Sequence, residues 1–271
     1  MSETTVRKTT VRTLQTLTDK GEKIVALTAY DALMAGLAEE CGVHMILVGD
    51  SVGMTMLGFE STIPVTLEHC LHHTAAVVRG VRSCLVVADM PFLTYQVNTD
   101  EAVRNAGRFL QEAGADAVKL EGGVTMAPTI RRLVEAGIPV LGHIGIMPQS
   151  ILTEGGYRVH GRKTEEAAAL ESDAAAIAEA GAFGIVLEGM PTGVSRKITE
   201  AVPIPTIGIG AGPDCNGQVQ VIHDILGLFE KFVPRHTRHY ANLASLTRDA
   251  LKAYAEDVRT GQFPSENESF T

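Results

Sequence analysis

EAGADAVKLEGG (residues 112–123) returns later in the chain as EAGAFGIVLEGM (residues 179–190). Each copy ends one segment with Glu-Ala-Gly, continues as a short apolar run and closes that run with an acid. Glycine enters the left-handed conformation freely, so Gly114 and Gly181 read as the C-caps of helices. An unbroken apolar run between such signals reads as a parallel strand buried on both faces. Shorter versions occur where Glu40-Cys-Gly-Val leads into MILVGD (45–50) and where Glu135-Ala-Gly-Ile leads into PVLGH (139–143).

Working outward from this repeat, strands are expected at 23–29, 44–49, 84–88, 117–121, 140–143, 184–188, 206–210 and 219–225. Amphipathic segments lie between them. The clearest helix is 99–114, where Val103, Ala106, Leu110 and Ala113 have the spacing of one buried face. Eight strands alternating with helices imply parallel βαβ units. A doubly wound open sheet is the rival layout, but no G-x-G-x-x-G fingerprint opens a helix here, which favours a single (β/α)8 TIM barrel. The 271 residues suit one such barrel, which typically takes about 250. The whole chain, 1–271, is therefore read as one barrel domain. Residues 1–20 are an extra N-terminal helix suited to covering the barrel bottom, and 238–271 a C-terminal helix and tail.

Hydrophobic residues make up 45% and charged residues 20%, enough to bury a full core. The net charge of −9 and the lack of a basic stripe argue against nucleic acid as a partner. No apolar stretch approaches the roughly 20 residues that span a bilayer, which argues against a membrane. The opening MSETTVRKTTVRTLQ lacks a signal-peptide core, so a cytoplasmic setting is expected. Cys41, Cys70, Cys84 and Cys215 form no CxxC pair and read as reduced thiols.

Catalytic groups of a barrel of this type sit at the carboxyl ends of its strands. The ionisable residues there are Asp50, Asp89, Lys119, Glu121, His143 and Glu188. One strand-end acid is often no more than a helix cap. Several acids converging on one mouth repel each other and call for a counter-charge. Lys119 supplies one; a divalent cation is the natural remainder, and oxygen donors point to Mg2+ or Mn2+ rather than zinc. Asp50 and Asp89 are the expected ligands. Lys119 and Glu121 share a strand face and suit an ion pair. Glu188 closes the apolar run GIVLE, where desolvation would raise its pKa as a general base needs; a second metal ligand and a helix cap are the alternatives. His143, alone on an apolar strand, reads first as a hydrogen-bonded core residue. His69, His72 and His73 read as helix surface or interface. Gly208-Ile-Gly-Ala-Gly either cradles a phosphate or packs tightly at the barrel top. The glycine-rich stretch 155–162 reads as a functional lid.

ALTAYD (26–31), LVGDS (47–51), ADMPF (88–92), VKLEGG (118–123), GHIG-x-x-PQS (142–150), GGYRVHGR (155–162), IGIGAG (207–212) and FPSENESF (263–270) occur in this order. Together, from about residue 10 to the C-terminus, they resemble the ketopantoate hydroxymethyltransferase family. The resemblance implies a barrel of the phosphoenolpyruvate/pyruvate superfamily. It implies transfer of a one-carbon unit from 5,10-methylenetetrahydrofolate to 3-methyl-2-oxobutanoate, giving 2-dehydropantoate for pantothenate synthesis. It places Mg2+ on Asp50 and Asp89 with Glu121 close by, the 2-oxo acid on Asp50, Ser51, Asp89 and Lys119, and the proton acceptor at Glu188. It also implies a homo-oligomer, a decamer of pentameric rings. The strand-end acids equally suit a metal-dependent lyase that cleaves carbon–carbon or phosphorus–carbon bonds on the same barrel; folate-dependent turnover separates the two.

Overall fold

In the computed structural model, which describes residues 7–270, eight parallel strands close into a barrel in sequence order. They are β1 (Ile24–Thr28), β2 (Met45–Val48), β3 (Leu85–Asp89), β4 (Ala117–Lys119), β5 (Val140–Gly145), β6 (Gly184–Glu188), β7 (Thr206–Ile209) and β8 (Gly217–Gln220). The helices are α1 (Val11–Asp19), α2 (Ala32–Glu40), α3 (Val52–Thr55), α4 (Leu67–Gly80), α5 (Thr99–Gln111), α6 (Ala127–Glu135), α7 (Ile151–Glu154), α8 (Thr164–Glu179), α9 (Thr192–Ala201), α10 (Ile222–Ile225) and α11 (Leu243–Thr260). The barrel unit runs to Val221; residues from Ile222 onward form a second compact unit carrying α10 and α11. No helix among the described residues is long and apolar enough to cross a membrane.

The period of two along a strand builds the barrel interior. Ile24 and Ala26, Met45 and Leu47, Leu85 and Val87, with Ala117, Leu141, Val186, Ile207 and Val219, form one buried cluster. Leu14 of α1 joins it, with Val11 and Leu17 packed alongside, so this helix packs into the apolar interior of the strands. It starts at Thr10, whose hydroxyl accepts the Thr13 N–H in a capping box. The first six residues of the expected 1–20 helix lie outside the described residues.

Three details refine the expectation. Strand eight is Gly217–Gln220 rather than 219–225. Its alternating buried and exposed residues have strand period, whereas Ile222 and Ile225 have the spacing of one helical turn and form α10. The buried residues of α5 are Ala102, Ala106 and Phe109, with Ala113 just beyond it; of the expected stripe Ala106 and Ala113 are buried, while Val103 and Leu110 are half-buried. The glycines of 208–212 serve packing: a Cβ at Gly208 would crowd Cys215 and Gln218, and one at Gly212 would meet Thr192.

Gly145, at the end of β5, couples the fold to the site. Its φ is +103°, and a Cβ there would collide with the Glu188 carbonyl oxygen. Gly145→Ala is expected to cost at least the usual overpacking penalty of about 1–3 kcal/mol, with φ strain added. An unchanged denaturant midpoint in the variant would show that this close approach is not constrained.

Candidate active site

Continuing the inward register by two residues past the apolar layers reaches the chemistry. Asp89 follows Val87, Lys119 follows Ala117, His143 follows Leu141 and Glu188 follows Val186, so all four point into the mouth. Asp89 and Lys119 are direct register partners across β3 and β4. The Lys119 ammonium donates to Asp89 Oδ1 at 2.8 Å and Oδ2 at 3.0 Å, and to Glu121 Oε1 at 3.4 Å. Asp50, just past β2, gives its backbone N–H to Asp89 Oδ2 at 3.1 Å. Ser51 exchanges a hydrogen bond with the Tyr30 hydroxyl at 2.8 Å.

His143 stands between the two glutamates, Nδ1 3.5 Å from Glu121 and Nε2 3.3 Å from Glu188. Neither ring nitrogen has a hydrogen-bonded partner among the described residues, so the attraction is one of charge more than of hydrogen bonding. Sequence reasoning placed this histidine in the core; the structure places it in the site. A strand-end position was its signal, but the partners that distinguish the two readings sit on other strands.

Two further residues had no clear signal. Gln149, from the turn after β5, is buried and donates through Nε2 to Asp50 Oδ2 and to the Met90 carbonyl, both at 3.0 Å. Its backbone N–H donates to Glu121 Oε2 at 3.1 Å. Tyr95, buried in the loop after β3, donates to Gln149 Oε1 at 2.8 Å and accepts the Glu121 N–H at 3.1 Å.

The electrostatics follow from burial. Burial pushes the Asp50 carboxyl up to about 8, with Asp89 adding to the shift and Lys119 opposing it. Burial raises Asp89 as well, against the pull of Lys119. Glu121 feels the same burial, but Lys119 and His143 outweigh it and hold the carboxyl below its ordinary value. Burial and Lys119 work against a charged His143; the carboxylates of Glu121 and Glu188 win and push it up to about 9. Lys119 is held firmly protonated because the three acids outweigh its desolvation.

Above the mouth, the 155–162 stretch is tied by His160 to Glu154 at 2.7 Å and by Arg158 to Glu166 at 3.3 Å. The Tyr157 hydroxyl reaches Met54 Sδ, beyond β2, at 3.9 Å. The α4 histidines lie outside the cluster: His69 joins the capping box of Thr66, and His73 contacts the Tyr30 carbonyl at 2.7 Å.

A closed parallel barrel with its buried ionisable groups at the carboxyl ends of the strands defines the class: an α/β-barrel enzyme. The family model for ketopantoate hydroxymethyltransferase matches residues 8–266. The 3-methyl-2-oxobutanoate hydroxymethyltransferase of Moorella thermoacetica is 54% identical over 263 residues, covering 97% of this chain and 98% of that protein. That of Syntrophus aciditrophicus is 53% identical over 264 residues, covering 97% of each chain. Among solved structures, phosphonopyruvate hydrolase in complex with oxalate and Mg2+ aligns with a TM-score of 0.62 at 16% identity, covering 95% of this chain and 92% of that one. A 2,3-dimethylmalate lyase of the PEP mutase/isocitrate lyase superfamily aligns with a TM-score of 0.60 at 17% identity, covering 96% and 91%. These two share the fold. The chain belongs to the ketopantoate hydroxymethyltransferase family.

Proposed function

We propose that the protein transfers a hydroxymethyl group from 5,10-methylenetetrahydrofolate to 3-methyl-2-oxobutanoate, giving 2-dehydropantoate for pantothenate synthesis. The observation that carries this reading is the buried Asp50–Asp89–Lys119–Glu121 cluster beside the more accessible Glu188. The family membership and the substrate named for the relatives point the same way.

The donor set fits a hard divalent cation. Among the described residues, Asp50, Asp89, Glu121 and Glu188 face Lys119 and His143 as cations, which leaves two negative charges when all six are ionised. Burial raises the Asp50 and Asp89 carboxyls, and the neighbouring acids add to that shift, which a bound cation would offset. Among the described residues no three His, Cys, Asp or Glu side chains form a ready cage. That suits Mg2+, which usually takes one or two carboxylates and completes its shell with water and substrate. Asp50 and Asp89 would hold the cation with Glu121 alongside; when bound, it supplies the positive charge that stabilises the enolate oxygen of a 2-oxo acid.

The protein groups divide the remaining work. Asp50, Ser51, Asp89 and Lys119 bind the oxo acid, with Lys119 offsetting its carboxylate. Glu188 removes the C3 proton, and His143 at its side balances the charge. The resulting C3 carbanion forms the new bond to the donor's methylene carbon and water supplies the hydroxyl oxygen; both C–N bonds to that carbon break, and tetrahydrofolate leaves with one proton from the water and the one Glu188 removed. The 155–162 stretch covers the site as a lid. Cytoplasmic location and assembly as a homodecamer complete the reading.

The test is production of 2-dehydropantoate from the two substrates, with and without Mg2+. Absence of folate-dependent product would overturn the function; full activity after exhaustive EDTA dialysis would overturn the metal. A pH dependence follows. Ligation requires the carboxylate, and Asp50 is raised to about 8, so cation binding below that pH must expel its proton. Mg2+ affinity is expected to fall about tenfold per pH unit below that value if one proton is linked, and calorimetry in two buffers would count the proton released.

A further inference from the structure

We propose that Gln149 and Tyr95 are positioning residues that set the ligating geometry of Asp50 and Glu121; this rests on the metal reading above. A primary amide has two N–H donors and one oxygen with two lone pairs. Gln149 uses all four. Its two N–H groups go to Asp50 Oδ2 and the Met90 carbonyl, and its oxygen accepts from the Tyr95 hydroxyl at 2.8 Å and from Gln96 Nε2 at 3.2 Å.

The orientation of that amide is not free. The Met90 carbonyl can only accept, so the amide nitrogen must face it, and the same nitrogen then faces Asp50. The Tyr95 hydroxyl accepts the Glu121 N–H, and its own proton goes to the Gln149 oxygen at 2.8 Å, the nearer of two acceptors, the other being the Glu121 carbonyl at 3.3 Å. A chain of donors thus runs from the Glu121 backbone through Tyr95 and Gln149 to Asp50. It ends by occupying Oδ2 and leaves Oδ1 without a hydrogen bond among the described residues. The backbone N–H of Gln149 occupies Glu121 Oε2 in the same way. One residue therefore takes one oxygen from each of two carboxylates: it leaves Asp50 Oδ1 to face the shared space and holds Glu121 with its Oε1 turned to Lys119.

Burial makes this arrangement consequential. Tyr95 is 1% exposed and Gln149 4%, so no bulk water replaces a lost partner. The local backbone is shaped for it: Leu93, two residues before Tyr95, holds φ at +64°, a conformation costly outside glycine. Partners that orient metal ligands typically contribute 10–100-fold in affinity.

The experiment measures Mn2+ binding by electron paramagnetic resonance on the full chain without substrates, alongside melting in EDTA. Gln149→Met keeps the volume and removes the amide; Tyr95→Phe removes only the hydroxyl. Each is expected to raise the Mn2+ Kd, Gln149→Met by roughly 10–100-fold. Because both act through one chain, the double variant is expected to lose little more than Gln149→Met alone. A merely structural role predicts lowered melting in EDTA with an unchanged Kd in the folded fraction, and that result overturns the proposal. Should Gln149→Met fail to fold, an unchanged Kd in Tyr95→Phe overturns it equally. Absence of Mn2+ binding by the unaltered protein overturns the metal reading itself, and this inference with it.

Discussion

Glu188→Gln is expected to abolish exchange of the C3 proton of 3-methyl-2-oxobutanoate with deuterated water while leaving Mg2+ and the oxo acid bound. A positioned base contributes about 10²–10⁴-fold in rate, and the loss should fall in that range. The two glutamates come from equivalent positions of the internal repeat, yet their surroundings differ. The Glu121 side chain is 3% exposed and pinned by Lys119, His143 and the Gln149 N–H. Its carboxyl is held below the ordinary value, which makes it a poor proton acceptor and a good charge-balancing group. Glu188 is 19% exposed, and His143 is the cation beside it. A base needs access to its substrate, and of the two glutamates Glu188 is the accessible one. Proton NMR without folate isolates this step from carbon transfer. If Glu188→Gln exchanges at the wild-type rate while Glu121→Gln does not, the two roles are reversed.

The barrel and its acids were legible because they rest on local rules. Left-handed glycines follow α2, α5, α6 and α8, apolar runs make most of the strands, and the period of two carries Asp89, Lys119 and Glu188 inward. What stayed hidden depends on contacts between segments distant in sequence. Gln149 and Tyr95 lie in loops beyond their strands and meet only because those loops fold over one mouth. His143 on VLGHIG is a core residue or a site residue according to what the neighbouring strands present, and they present two glutamates. The cation beside Glu188 was hidden for the same reason: β6 carries no basic residue, but His143 reaches it from β5. The half-buried Val103 and Leu110 on α5 and the late start given to strand eight arose where alanine-rich or short apolar runs fit two registers.

Lys119→Met is expected to destabilise the metal-free protein by about 3–5 kcal/mol, the cost of breaking a buried ion pair by removing one partner. The ammonium is 4% exposed and contacts Asp89 and Glu121 directly. Without it, Asp50, Asp89 and Glu121 face each other with only His143 to offset them. Their folded pKa values then rise, so the folded state binds more protons than the unfolded one, and stability falls as pH climbs from the unfolded carboxylate range toward the raised values. The deficit in EDTA should therefore be small near pH 4 and larger at neutral pH, taking unfolded carboxylates to titrate at about 4. Mg2+ should reverse much of it. Lys119 holds both oxygens of Asp89, so it competes with the cation for that carboxylate. Its removal frees Asp89, and saturating metal at about 100 times its Kd returns roughly 2.7 kcal/mol. Catalysis should not return, because the oxo acid has lost the cation that offsets its carboxylate. Thermal melts in EDTA and in excess Mg2+, paired with the folate-dependent assay, separate the two roles. A variant that melts like the wild type in EDTA at neutral pH would show that Lys119 is not the counter-charge of the cluster.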